Sequence, residues 1–157
     1  MKAHNHLVTT LSMYVAASQW LPSLALAFPH PALAIPVIVL GALLPDIDHP
    51  QSTVGRRISI ISYPIKALLG HRGALHSVLA VCILVYLCRW ADSTILFAFS
   101  FGYIGHLVGD MCTKSGVAVF WPFGRRYRIP FTPASNPVFE VATAITCVAI
   151  AAFASFT

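Results

Sequence analysis

The sequence predicts an all-α fold, a polytopic membrane bundle of about five helices crossing four or five times. Three observations predict it. Of 157 residues, 57% are hydrophobic and only 10% charged, whereas a water-soluble domain carries about 25% charged residues. Mean hydropathy is +0.76, which also excludes disorder, since low hydrophobicity and high charge are what keep a chain unfolded. Apolar runs of near-membrane length recur along the chain, and its length suits a single domain, 1–157.

The first 44 residues hold two apolar stretches interrupted by Pro22, Pro29, Pro31 and Pro36. Proline ends or kinks helices, so two helices are expected, about 6–27 and 31–44, the second short for a crossing. Lys2, the apolar stretch from Leu7 and the small residues near 24–27 have a signal-peptide look. Further apolar spans follow, so this segment is expected to stay as the first helix. A third helix is expected over Leu75–Trp90. The fourth, Ser93–Cys112, and the fifth, Pro137–Phe156, are close to the roughly 20 residues that a crossing needs. The segments 45–73 and 113–136 are read as loops. Trp20, Trp90 and Trp121 are expected at the membrane interface, and Gly102, Gly105 and Gly109 at a close helix contact.

The net charge of +5 would suit nucleic acid, but the placement of the charges argues against that partner. With five crossings, the N-terminus and both long loops share one side, carrying Lys2, Arg56, Arg57, Lys66, Arg72, Lys114, Arg125, Arg126 and Arg128. Of the ten basic residues, the other side receives Arg89 alone. An excess of Lys and Arg in short loops marks the cytoplasmic side. The N-terminus and both long loops are therefore expected to be cytoplasmic, with the C-terminus outside. The run Arg125-Arg126-Tyr127-Arg128 suits anionic lipid headgroups. Cys82, Cys88, Cys112 and Cys147 form no CxxC pair, so neither a disulfide framework nor a thiolate zinc site is expected.

The same topology gathers the acidic residues and histidines at one membrane face. His6 begins helix one, Asp46, Asp48 and His49 end helix two, and His71 and His76 flank the start of helix three. His106 and Asp110 end helix four, and Glu140 lies in the first turn of helix five. Ionisable groups near hydrocarbon are costly and point to a function, and clustered carboxylates and imidazoles are reconciled by a divalent cation. His106 and Asp110 are four apart, on one helix face. Asp46 and Asp48 lie between Pro45 and Pro50, where an extended segment would aim both carboxylates the same way. Gly73 allows a bend that leaves His71 on the loop and His76 in the first helical turn. Imidazole and carboxylate donors without thiolate suit Zn²⁺ or Mn²⁺. His30, on the expected outer side, is read as interfacial, and His4 is assigned no role.

The motifs Leu44-Pro45-Asp46-Ile47-Asp48-His49-Pro50, Gly70-His71-Arg72-Gly73 with His76-Ser77, and His106-Leu107-Val108-Gly109-Asp110 with Thr113, Gly116 and Trp121-Pro122 resemble the YdjM-like family. Its members are predicted membrane-bound metal-dependent hydrolases of bacteria, one branch being tied to the LexA-controlled DNA-damage (SOS) response, and the resemblance implies a bacterial inner-membrane location. The family is held to be distantly similar to the zinc phospholipase C and S1/P1 nuclease group. The resemblance implies metal ligands at His6, Asp46, Asp48, His71, His76, His106 and Asp110, with His49 beside them, holding two or three ions.

The expected activity is hydrolysis of a lipid or lipid-linked phosphoester by metal-activated water. Asp48 or Asp46 is expected as general base and Arg72 as a phosphate-binding fork. Arg125, Arg126 and Arg128 are expected to steer an anionic substrate, with Glu140 as a possible addition to the cluster. Two other classes use the same residues: a metal-ion transporter component, and a non-catalytic membrane regulator with a structural metal. Oligomeric state is left open by the sequence.

Overall fold

A computed structural model describes residues 3–20, 31–70, 72–113, 115–129 and 137–154. Among them the fold is all-α, with six helices: α1 (Ala3–Trp20), α2 (Pro31–Leu43), α3 (Ser59–Leu69), α4 (Val78–Ala91), α5 (Thr94–Met111) and α6 (Pro137–Ala154). Two 3₁₀ turns, Leu44–Asp48 and Ala74–His76, join α2 and α4 to the loops before or after them. An isolated antiparallel bridge between Val117 and Tyr127 closes the loop after α5.

Helices α2 and α5 form the centre, because glycine lets their backbones touch. A Cβ on Gly102 would lie 2.0 Å from the Ile38 carbonyl oxygen, and one on Gly41 would lie 2.0 Å from that of Phe99. Beside this seam, Tyr14, Ala34, Ile38 and Ala98 form a small apolar core, flanked by Leu11, Val37 and Phe101. Gly105 does the same for α1, whose Thr10 side chain packs over it. Helix α6 packs along α1, and α4 along α5. The close contact expected of Gly102 and Gly105 is present, and Gly109 is buried.

The distribution of side chains inverts that of a water-soluble domain. His6, Asp48, His76, His106 and Asp110 are almost fully buried, while Leu33, Leu40, Ile60, Leu68, Trp90 and Ile95 are among the exposed apolar residues. On α1 the inward face is polar: Asn5, His6, Thr9, Thr10 and Ser12. Exposed apolar and buried polar surface is stable where the surroundings are themselves apolar. Among the described residues, α5 is the one helix both long and apolar enough for a crossing, and α3 and α4 are shorter apolar helices.

The structure corrects several boundaries. The segment 45–73 is not all loop: it contains α3, eleven residues with Pro64 inside. Asp46 and Asp48 are not on an extended segment but on a 3₁₀ turn, whose first positions accept Pro45 because the missing N–H has no partner to lose there. His76 lies in a 3₁₀ turn ahead of α4 rather than in the helix's first turn. Ser77 separates the two, its hydroxyl accepting from the Ala80 N–H as N-cap. Helix α1 begins at Ala3 and is described to Trp20; the remainder of the expected 6–27 segment lies outside the described residues.

Candidate metal centre

Four chain segments converge at one end of the bundle. Helix α1 brings His6, the turn after α2 brings Asp46 and Asp48, the turn before α4 brings Arg72 and His76, and α5 brings His106 and Asp110. Asp110 is the hub. Its Oδ1 lies 3.3 Å from His6 Nε2, and its Oδ2 lies 3.4 Å from His76 Nε2 and 3.6 Å from His106 Nε2. Asp46 Oδ1 approaches His106 Nε2 at 3.8 Å. The His6 and His106 rings stack with centroids 4.0 Å apart.

These separations are long for hydrogen bonds and close to the spacing of two donors on one ion. Bonds of 2.0–2.1 Å in a tetrahedral shell hold donors about 3.3 Å apart. Two sets of three donor atoms each lie within 4.8 Å of one another, His6 with His106 and Asp110, and Asp46 with His76 and His106.

The tautomer of His106 follows from its neighbour. Its Nδ1 lies 2.7 Å from the Ala42 carbonyl oxygen, and a carbonyl accepts only, so Nδ1 donates. In the neutral ring the lone pair is then on Nε2, which is buried, makes no hydrogen bond and faces the carboxylates. Metal-binding histidines are characteristically oriented by this kind of carbonyl partner.

Charge balance points the same way. Asp46, Asp48 and Asp110 bring three negative charges and Arg72 one positive, leaving two for a divalent cation to neutralise. Without a cation, His76 takes part of that role. Burial disfavours its charged form, but Asp110 on one side and Asp48 on the other outweigh this and raise its pKa from 6.5 to about 9.

Arg72 is held from three directions. Its Nη2 donates to Asp110 Oδ1 at 2.6 Å, its Nη1 to Thr113 Oγ1 at 3.0 Å, and its backbone N–H to Asp48 Oδ2 at 2.9 Å. Its φ of 56° is rare for a residue with a side chain and persists where surroundings enforce it. Asp48 is fully buried, and its Oδ2 lies 3.2 Å from His76 Nδ1. It therefore orients His76 and the Arg72 backbone.

Beside the cluster opens a cavity of about 670 Å³, lined in part by Asp46, His49, Ser52, Arg56, Arg72 and Ser115. His4, which the sequence reading assigns no role, also lines it.

A model of one family matches residues 1–156, the family described as "YdjM inner membrane protein". The chain belongs to that family. As a member of the YdjM family it is an inner membrane protein, which explains its exposed apolar surface. It is 39% identical over 139 residues to the Inner membrane protein YdjM of Escherichia coli (strain K12), covering 83% of this chain and 70% of that one. The protein of the same name in Shigella flexneri matches equally. The Uncharacterized protein YvsG of Bacillus subtilis (strain 168) is 34% identical over 93 residues, 58% of each chain. No solved structure matches.

Of the residues singled out in the sequence, His6, Asp46, Asp48, Arg72, His76, His106 and Asp110 are brought together. His49 is half-buried on the cavity wall. His71 lies outside the described residues. Glu140 lies on the first turn of α6, its side chain outside what is described. Arg125, Arg126 and Arg128 are exposed on the loop after α5 and do not line the cavity. That loop is tied to the site end of the bundle by the Ile129 N–H to the Met111 carbonyl and the Val78 N–H to the Val119 carbonyl. Thr113, which the sequence reading names only within a motif and without a role, and the Ala42 carbonyl, which it does not name, also contribute. Thr113 sits three residues after Asp110, and its hydroxyl donates to the Asp110 carbonyl, a helix-end spacing that a sequence does signal. The carbonyl of Ala42 has no such signature.

Proposed function

We propose that this chain is a membrane-bound metal-dependent hydrolase acting on a lipid or lipid-linked phosphoester. The observation that carries the metal reading is the buried His106 Nε2, held as a bare donor by the Ala42 carbonyl and facing Asp46 and Asp110. His6, His106, Asp110, Asp46 and His76 would hold the ion, or two ions sharing His106. Bound Zn²⁺ or Mn²⁺ supplies a Lewis acid for a phosphoryl oxygen and lowers the pKa of water at the site. The hydrolase class comes from the family resemblance.

The chain's own residues divide the remaining work. Asp46, 14% exposed and on the cavity wall, is placed to accept a proton from water in that cavity. Asp48 is sealed off and serves to hold His76. Arg56 and Arg72 give the cavity wall positive charge, which favours an anionic substrate. The Lys/Arg bias supports a site on the cytoplasmic side of a multi-pass bundle, where a phosphate at headgroup depth is within reach.

A second reading has one specific observation in its favour. His6, His76, His106 and Asp110 are at most 1% exposed, and structural metal sites are closed. In that reading the chain is a non-catalytic membrane regulator.

The test is metal content of the detergent-purified protein beside His106→Ala/Asp110→Ala, with hydrolysis assays on phospholipids and polyprenyl phosphates. Bound metal that is lost in the double variant together with hydrolysis supports the enzyme. Bound metal without turnover, with the double variant failing to fold once its metal is lost, supports the structural reading. A folded wild type that takes up no metal overturns both.

A further inference from the structure

We propose that α3 is an in-plane helix, seated in the headgroup layer of the leaflet on the site's side and held there by anionic lipid. This inference rests on membership of an inner membrane family and is independent of whether the chain hydrolyses anything.

Helix α3 has two faces that a soluble loop helix would not carry together. Ser62 is fully buried, and Ile58, Ile65 and Leu69 beside it are half-buried. This inner face packs on the turn Leu44–Asp48. The outer face holds Tyr63, Ala67, Ile60, Pro64, Leu68 and Ile61, all exposed. At 3.6 residues per turn these six cover an arc of about 160° without a polar interruption. Ile60 is 89% exposed and Leu68 81%. A helix apolar on its outer side is stable only where that side is removed from water.

Length decides how lipid meets it. Eleven residues span about 16 Å, half of a hydrocarbon core of roughly 30 Å. The helix therefore lies along the membrane, the arrangement of interfacial amphipathic helices.

Charge names the lipid. Arg56 and Arg57 precede α3 and Lys66 borders its apolar arc, all three exposed. The two arginines stand at the helix N-terminus, where the macrodipole disfavours cations, so helix stability does not account for them. Basic residues flanking an apolar face are the arrangement that binds anionic headgroups. A largely aliphatic arc with Tyr63 at its edge suits acyl chains, which demand no matching shape, better than a protein surface.

The seat is coupled to the site. A Cβ on Gly55 would lie 2.1 Å from the His49 carbonyl oxygen and 2.9 Å from Ser62 Oγ, so the segment leading into α3 joins Ser62 of that helix to His49 of the cavity wall. Lipid held by α3 thus lies beside the cavity that Arg56 lines.

The experiment uses the full chain in vesicles of phosphatidylcholine with and without phosphatidylglycerol. Cys82, Cys88, Cys112 and Cys147 are replaced by serine, and spin labels are placed at Ile60→Cys, Leu68→Cys and Arg56→Cys. The expected result is oxygen-favoured accessibility at 60 and 68, at about 5–10 Å depth, and aqueous-relaxer-favoured accessibility at 56. Labels at 60 and 68 should sit deeper with phosphatidylglycerol, and Arg57→Gln/Lys66→Gln should abolish that difference. Water-favoured accessibility at 60 and 68, or protection from both relaxers by a protein partner, overturns the proposal. Equal depth in both vesicles overturns its anionic-lipid part. If the serine background does not fold, benzoylphenylalanine at position 63 of the native sequence decides. A phospholipid photoadduct supports the in-plane seat, and an adduct to protein, or none, overturns it.

Discussion

The two ends of the bundle treat ionisable side chains in opposite ways. At one end His6, Asp48, His76, His106 and Asp110 are buried, each within reach of another. At the other, where α4 turns into α5, Arg89 and Asp92 are exposed and Trp90 is 76% exposed. That turn is held by ordinary devices. Asp92 takes a left-handed φ of 44°, and the Ser93 hydroxyl accepts from the Leu96 N–H at 3.3 Å. The far end needs only local structure, whereas the site end needs every partner present, because a buried charge without compensation is expensive.

The sharpest way to break this contrast is Asp110→Ala. It removes the hub carboxylate and strips the buried Arg72 of its closest partner, so a loss of about 3–5 kcal/mol is expected in denaturation, with loss of metal. Unchanged stability and unchanged metal stoichiometry would remove Asp110 from the centre. Gly102→Leu acts between the two ends, driving a side chain against the Ile38 carbonyl. Overpacking of this kind costs about 1–3 kcal/mol, and His106 should lose its setting as α2 moves off α5. A fully stable variant with intact metal binding would show that the seam has room.

Acidity separates the ends without mutation. With its pKa raised to about 9, His76 carries a proton at neutral pH in the metal-free protein. Its contribution to metal-free stability is full below its unfolded value of about 6.5 and is lost as pH rises through about 9. A metal taking Nε2 must displace that proton. Affinity should therefore rise with pH, by at most about 1.4 kcal/mol per unit, levelling near pH 9. Calorimetry in two buffers of different ionisation enthalpy reads the released proton, and buffer-independent heats would exclude His76 as a ligand. The smallest effect belongs to the far end. Ser93→Ala should cost about 1 kcal/mol by loss of its cap and leave metal content unchanged. A change in metal content there would mean that the two ends are coupled.

What the sequence revealed of this contrast was its local spacing and its order of apolar segments. His106 and Asp110 sit at a spacing that any helix turns into a pair, and five apolar segments were visible as such. The helices carrying them begin and end within a few residues of expectation where they are described. Helix α3 was hidden because a segment with Pro64 inside and Arg56, Arg57 and Lys66 around it has the composition of a cytoplasmic loop. Its helicity comes from packing on the Leu44–Asp48 turn, which is tertiary. The division of labour between Asp46 and Asp48 was hidden as well. Two carboxylates two residues apart look equivalent in a string, and the 3₁₀ turn sends one to the cavity and the other into the interior. Arg72 was legible as important but not in its attachment to Asp110 and Thr113, since a guanidinium suits a buried carboxylate as well as a phosphate.

The hydrogen bond from His106 to Ala42 has a consequence for how the chain matures. Ala42 follows Gly41, the residue that lets α2 lie against α5. An imidazole on a solitary α5 is free to exchange tautomers, and its nitrogens are then indifferent donors for any passing cation. Only the docked α2 selects between them. The two ring nitrogens of His106 are thus told apart by assembly of the bundle and not by α5 alone, so the polar cluster is chemically complete only in the finished fold.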